Sequence, residues 1–106
     1  MGAWGEGPYD NDTAADWLHE VFEETGFCER VIAGLATGRP DIVRAAAWVV
    51  GVLGEVYVWP IDRLDDDRAE ACRALEGLLA DEEWMGTWGD RARAEAALRA
   101  QLDALR

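Results

Sequence analysis

Residues 40–58 read PDIVRAAAWVVGVLGEVYV, and the reading of this stretch decides the fold. Ten consecutive residues, Ala45 to Gly54, include no polar one, and the only charges in the stretch are Asp41, Arg44 and Glu55. A surface helix carries one apolar stripe, so a segment apolar on nearly every side calls for cover on nearly every side. Pro40 suits a first helical turn, where its missing N–H would have no partner anyway. The Ala45-Ala46-Ala47 run has the highest helix propensity available. The rival is a buried strand at Trp48–Trp59, since Val and Tyr favour strands and a short apolar run has no decisive period. Length and the alanines favour a central helix over residues 41–57. Gly51 and Gly54 would let a neighbour approach it closely.

Working outward, the flanks carry helical spacing. Asp10-Asn11-Asp12-Thr13 is a cluster of N-cap residues, followed by Ala14, Trp17, Leu18, Val21, Phe22 and Thr25 at three-four spacing. That pattern predicts a first helix with these residues inward, stopped by Gly26. Cys28, Val31, Ile32 and Leu35 predict a short second helix. After a Trp59-Pro60 break, a loop through Ile61 and Leu64 is expected to reach a helix capped by Asp67, with Glu70 completing a capping box. Its inward stripe is Ala71, Cys72, Leu75, Leu78 and Leu79. Residues 81–89 interrupt the pattern, and Asp90 opens a last helix with Ala94, Leu98, Gln101, Leu102 and Leu105 on one side. Arg91–Glu95 and Glu95–Arg99 are spaced to pair along it. The N-terminal residues 1–11 read as an irregular arm, rich in glycine, that Trp4 and Tyr9 fasten down by burial. The expectation is therefore an all-α single domain of 106 residues, about five helices around a buried central helix.

Composition narrows function by exclusion. There are 22 acids against 10 bases, a net charge of −12, and every base is Arg. Residues 1–29 hold eight acids and no Lys or Arg. Direct nucleic-acid binding is excluded, because it rests on Lys and Arg at phosphates. Two cysteines, Cys28 and Cys72, do not form a disulfide framework and fall on apolar helix faces, so free thiols are expected. The Ala45–Gly54 run is too short to span a bilayer, and no basic segment precedes an apolar run near Met1. A cytoplasmic protein without membrane contact is the expectation.

Chemistry-bearing patterns are weak. The chain has one histidine and no serine. Asp16, His19 and Glu23 could share one side of the first helix, but a catalytic zinc needs three ligands in a shaped cavity. Asp10-Asn11-Asp12 begins like a calcium loop, yet Ala15 stands where that loop needs glycine and Val21 where it needs an acid. Neither cofactor, metal ligand nor catalytic residue is expected. The tryptophans at 17 and 48 fall in helical core patterns, and those at 59, 84 and 88 flank helix ends.

Met1-Gly2-Ala3-Trp4-Gly5, then Tyr9, Asp10-Asn11-Asp12 and Asp16-Trp17-Leu18, resembles the opening of the bacterial domain-of-unknown-function family numbered 4259. Beyond residue 18 the similarity is a looser helical pattern. The resemblance implies a small, mostly helical bacterial protein whose N-terminal arm matters to fold or partner, with Trp4, Tyr9, Asn11 and Trp17 as its signature residues. It carries no catalytic residues.

The function these observations favour is a non-enzymatic acidic interaction protein, such as an immunity- or antitoxin-like inhibitor of a basic bacterial protein. Asp10, Asp12, Asp16, Glu20, Glu23 and Glu24 are the candidate partner-binding residues, with electrostatic complementarity as the rationale. The alternative is a small-ligand or regulatory binding domain built on the arm, using Trp4, Tyr9 and Asp10–Asp12.

Overall fold

Capping and propensity divide the chain much as the spacing predicts. The structure, a computed structural model, describes Pro8 and residues 11–106. Among the described residues there are six helices: α1 (Asp12–Thr25), α2 (Phe27–Leu35), α3 (Pro40–Glu55), α4 (Ile61–Ala80), α5 (Glu82–Met85) and α6 (Arg91–Leu105). The fold is all-α, as expected. Trp4, Tyr9 and Asp10 lie outside the described residues, and with them the expectation that Trp4 and Tyr9 fasten the arm.

Asn11 is the N-cap of α1: its Oδ1 accepts the Ala14 N–H at 2.8 Å, satisfying one of the donors a helix start leaves unpaired. Gly26, at φ 61°, ends α1 and starts α2 with no linker between them. Asp81 and Asp90 cap α5 and α6 in the same manner as Asn11, accepting from Trp84 and Arg93.

α3 occupies the expected position but stops at Glu55, not residue 57, because a six-residue cap closes it. The Val58 N–H donates to the Leu53 carbonyl at 2.8 Å and the Tyr57 N–H to the Gly54 carbonyl at 3.1 Å. This is the Schellman arrangement, which places the residue after the cap in the left-handed region. Here that residue is Tyr57, at φ 59°. A side chain in that conformation costs about 1–2 kcal/mol relative to glycine's freedom.

α3 is also less enclosed than its sequence implies. α2, α4 and α6 cover the flank formed by Val43, Ala46, Ala47, Val50 and Gly54. Ala45, Trp48 and Val52 form the opposite, exposed stripe, with Trp48 at 60% exposure. Three neighbours cover one side of a helix, and no other described element reaches the far side. Trp48 is therefore not a core residue. The glycines act as expected: a Cβ at Gly54 would sit 2.8 Å from Leu64 Cδ1, and one at Gly51 would sit 3.4 Å from Leu105 Cδ2. α3 and α4 meet closely because position 54 has no side chain.

α4 corrects the sequence reading most. It begins at Ile61, so Ile61 and Leu64 belong to the helix and Asp67 sits well inside it, buried, not at its cap. Pro60 supplies the start by fixing φ at −52° just before the first turn. Residues 81–89 likewise contain the short α5, which buries Met85 and sets Trp84 edge-on to Trp88, with ring centroids 5.7 Å apart. On α6 the expected inward residues Ala94, Leu98, Leu102 and Leu105 are buried, and Arg99 pairs with Glu95. Arg91 reaches back to Glu82 at 2.6 Å rather than to Glu95, tying α6 to α5.

The core thus runs through α3, α4 and α6, with Val50, Leu75 and Leu98 fully enclosed. Leu75→Ala is expected to lower unfolding free energy by about 2–5 kcal/mol, the cost of a cavity in a packed interior. Trp48→Ala, on the uncovered stripe, should change it by no more than about 0.5 kcal/mol. Urea denaturation of the two variants checks the contrast.

Candidate functional site

The region that holds the most chemistry lies between one face of α1 and the Val56–Ile61 segment. Its floor is aromatic. Phe22 of α1 stacks on Phe27 of α2, centroids 4.9 Å apart and planes at 13°, and Phe27 meets Trp59 at 6.2 Å. Trp59 is 1% exposed, so its indole N–H needs a partner inside the protein. Asp67 supplies it: Trp59 Nε1 donates to Oδ2 at 2.9 Å. The same oxygen accepts from Arg63 Nε, one turn earlier on α4, while Arg63 Nη1 donates to Glu29 Oε1 of α2 at 2.8 Å.

The electrostatics follow from this chain of contacts. The Glu29 carboxyl is held below its ordinary pKa by its own backbone N–H and by Arg63. Burial works against the charge on Arg63, but hydrogen bonds and charge from Asp67, with Glu29, carry its pKa above the ordinary value. Nearby, burial pushes the Cys28 thiol up to about 11, with Arg63 pulling weakly the other way. A thiol in that state is a packing group, not a nucleophile.

Above this floor runs a groove of about 520 Å³. One wall is the α1 face of Ala15, Leu18, His19 and Phe22, and the other is the Val56–Ile61 segment that joins α3 to α4. Tyr57 and Ile61 are 74% and 77% exposed and form its lip. At one end the groove adjoins a notch of about 150 Å³ bordered by the acids Glu23, Glu29 and Asp62. Arg63 is the one cation on the notch, and its guanidinium is already engaged by Asp67 and Glu29.

Of the acids singled out in the sequence, Glu23 borders the notch, and Asp12, Asp16, Glu20 and Glu24 lie off the groove-lining face of α1. Asp12, Asp16, Glu20, Glu23 and Glu24 are all exposed. Asp12, Asp16, Glu20 and Glu24 follow one another at i,i+4 spacing and so stack along the helix. Glu23 stands beside them, its Oε1 3.2 Å from His19 Nε2. Asp10 lies outside the described residues. Trp17, expected inward, is 61% exposed and borders this stripe. The reason is that among the described elements α1 packs only on α2, so only part of its apolar arc is covered.

No described group of three or more His, Cys, Asp or Glu side chains is placed to hold a metal ion. No helix among the described residues is long and apolar enough to cross a membrane. Sequence reasoning missed the Trp59–Asp67–Arg63 contacts and the groove. The signal available was a Trp-Pro pair followed by an Asp within the next helix, and treating Asp67 as a cap hid it.

The sequence matches the profile of a domain of unknown function, DUF4259, over residues 2–100. No curated protein and no solved structure matches it.

Removing the carboxylate in Asp67→Ala leaves a buried indole N–H unpaired and is expected to cost about 1.5–3 kcal/mol, the range for a hydrogen bond to a charged group. A red shift of tryptophan emission in the folded variant would report wetting of Trp59. Cys28 should resist thiol reagents in the folded state at pH 8 and react on unfolding. Because burial raises the folded thiol to about 11 from an ordinary value of 9.0, the unfolded chain sheds this proton first. Stability should therefore fall as pH rises from 9 towards 11, a loss that Cys28→Ala removes.

Proposed function

This chain belongs to the DUF4259 family, and from its structure we propose that it is a non-enzymatic acidic interaction protein that docks a basic protein partner on α1. The observation that carries this reading is the pairing of an exposed acidic stripe with an exposed tryptophan on one helix. Asp12, Asp16, Glu20 and Glu24 supply charge of one sign, and Trp17 supplies the large, rigid apolar anchor typical of interface hot spots. A charged stripe alone is compatible with a solubility role. A tryptophan left bare beside it needs a further reason, and a partner that covers it is a physical one.

The immunity- or antitoxin-like form of this reading has the partner be a basic bacterial protein, acting in the cytoplasm. The case against catalysis rests on the side chains themselves. Cys28 is buried with its proton held tightly, the single histidine is exposed and paired with Glu23, and the chain has no serine. A small-ligand domain is the second reading, and the groove's volume lies in the range such pockets occupy.

Capture of the partner from the cells that make this protein, followed by association kinetics, tests the proposal. Reversing Glu20→Arg with Glu24→Arg should slow association roughly tenfold and leave dissociation nearly unchanged. The wild-type rate should fall as salt shortens the Debye length below about 8 Å. Trp17→Ala should instead speed dissociation without changing the melting temperature. An association rate indifferent to salt and to the double reversal would reduce the acidic stripe to a solubility device.

A further inference from the structure

We propose that the groove between α1 and the Val56–Ile61 segment seats the apolar face of a basic amphipathic segment of the partner, with that segment's Arg or Lys side chains entering the adjoining notch. This rests on the reading of α1 as a docking helix and names what the partner must present to it. Leu18, Val58, Tyr57 and Ile61 offer an apolar surface over the buried Phe22 and Trp59, the kind that receives side chains spaced i, i+3, i+4 and i+7. The notch beside it has a surplus of acids: Glu23, Glu29 and Asp62 border it, Arg63 pairs with Glu29 and Asp67, His19 pairs with Glu23, and Asp62 has no ion pair among the described residues. Apolar wall and acidic end together select an apolar residue followed by a cation.

Charge decides between occupants. Residues 1–10 of this chain carry Glu6 and Asp10 and no Lys or Arg, so the arm does not complement the notch. A second copy brings a net charge of −12 against another −12. A basic segment is the occupant the notch favours. The lip adds a second sign of use. Tyr57 holds an exposed aromatic ring at φ 59°, a conformation in which glycine would be unstrained. The chain keeps an unfavourable backbone to place a ring at the groove's edge.

The test uses the full chain and a synthetic Leu/Lys amphipathic helix, with a Leu/Glu peptide of the same pattern as control. Binding is followed by calorimetry and the contact residues by amide NMR shifts. The Leu/Lys peptide should bind, shift the resonances of Leu18, Phe22 and Val58, and leave the Leu/Glu peptide without effect. Ile61→Ala removes the apolar side chain at the lip without adding charge, and alanine is a good helix former, so the variant should fold. It should weaken binding about tenfold, the scale of losing one interface anchor. Tyr57→Gly should weaken binding similarly while raising the melting temperature. If the peptide binds Ile61→Ala as tightly as wild type and shifts only the outer face from Asp12 to Glu24, the groove is not the seat, although the acidic-helix reading survives. Equal binding of the Leu/Glu peptide overturns the charge argument. Binding that appears only when residues 2–8 are deleted assigns the groove to the arm and overturns the proposal. No binding of the Leu/Lys peptide overturns the proposal, while the acidic-helix reading is decided separately by the salt dependence and the Glu20→Arg, Glu24→Arg kinetics.

Discussion

A buried indole N–H has to be given an acceptor, and much of the arrangement around Trp59 follows from that need. The ring is enclosed, so its only donor cannot reach water. Asp67 can accept it only because α4 starts at Ile61 and carries the carboxylate back beneath the segment from α3. A buried carboxylate in turn needs a cation, and Arg63 lies one turn away on the same helix. Arg63 then has donors to spare, and Glu29 takes one, which binds α2 to α4. One aromatic donor thus orients the α3–α4 connection, the first turns of α4 and the side of α2. The groove inherits its wall and its acidic end from the same contacts.

The central helices are held by a different device. α3 uses small residues where it meets its neighbours: Ala46 and Ala47 are buried, and Gly54 leaves room for Leu64 of α4. Close approach increases dispersion contact along the pair. The larger apolar residues Trp48 and Val52 face away. α3 therefore sets Val43, Val50 and its small residues against the core and leaves its one tryptophan outside. Arg68 marks a cost of this closeness, since its Nε is buried with no hydrogen-bond partner among the described residues.

The acidic surplus is not neutralised evenly. Arg63, Arg73, Arg91, Arg99 and Arg106 each pair with an acid on α2, α4, α5 or α6. Exposed pairs of this sort contribute little stability, but they do lower the local field. The described ion pair on α1 is His19 with Glu23, and among the described residues no Arg pairs with Asp12, Asp16, Glu20 or Glu24. Field therefore concentrates on α1, the helix with the fewest neighbours. A stripe of one sign there steers encounter, while Trp17 provides contact area once encounter has occurred.

Local rules were enough to read most of the helices from the sequence, though not the first turns of α4 or the short α5. The Asn11 and Asp90 caps, the Gly26 stop and the inward Leu98–Leu102–Leu105 stripe depend on residues within a few positions of one another, so spacing and capping chemistry reveal them. The exposure of Asp12, Asp16, Glu20 and Glu24 was legible for the same reason, since a carboxylate without a partner stays in water. What surrounds a helix is not a local property. Ala45–Gly54 and the first helix both look fit for burial, yet whether Trp48 or Trp17 is covered depends on how many neighbours the fold supplies. Asp67 could serve equally as a cap or as a buried acceptor until Trp59 is placed against it. The charges and most of the helices were written in the chain. The groove, its acidic notch and the bare tryptophans exist only through contacts between residues far apart in sequence, which no local pattern encodes.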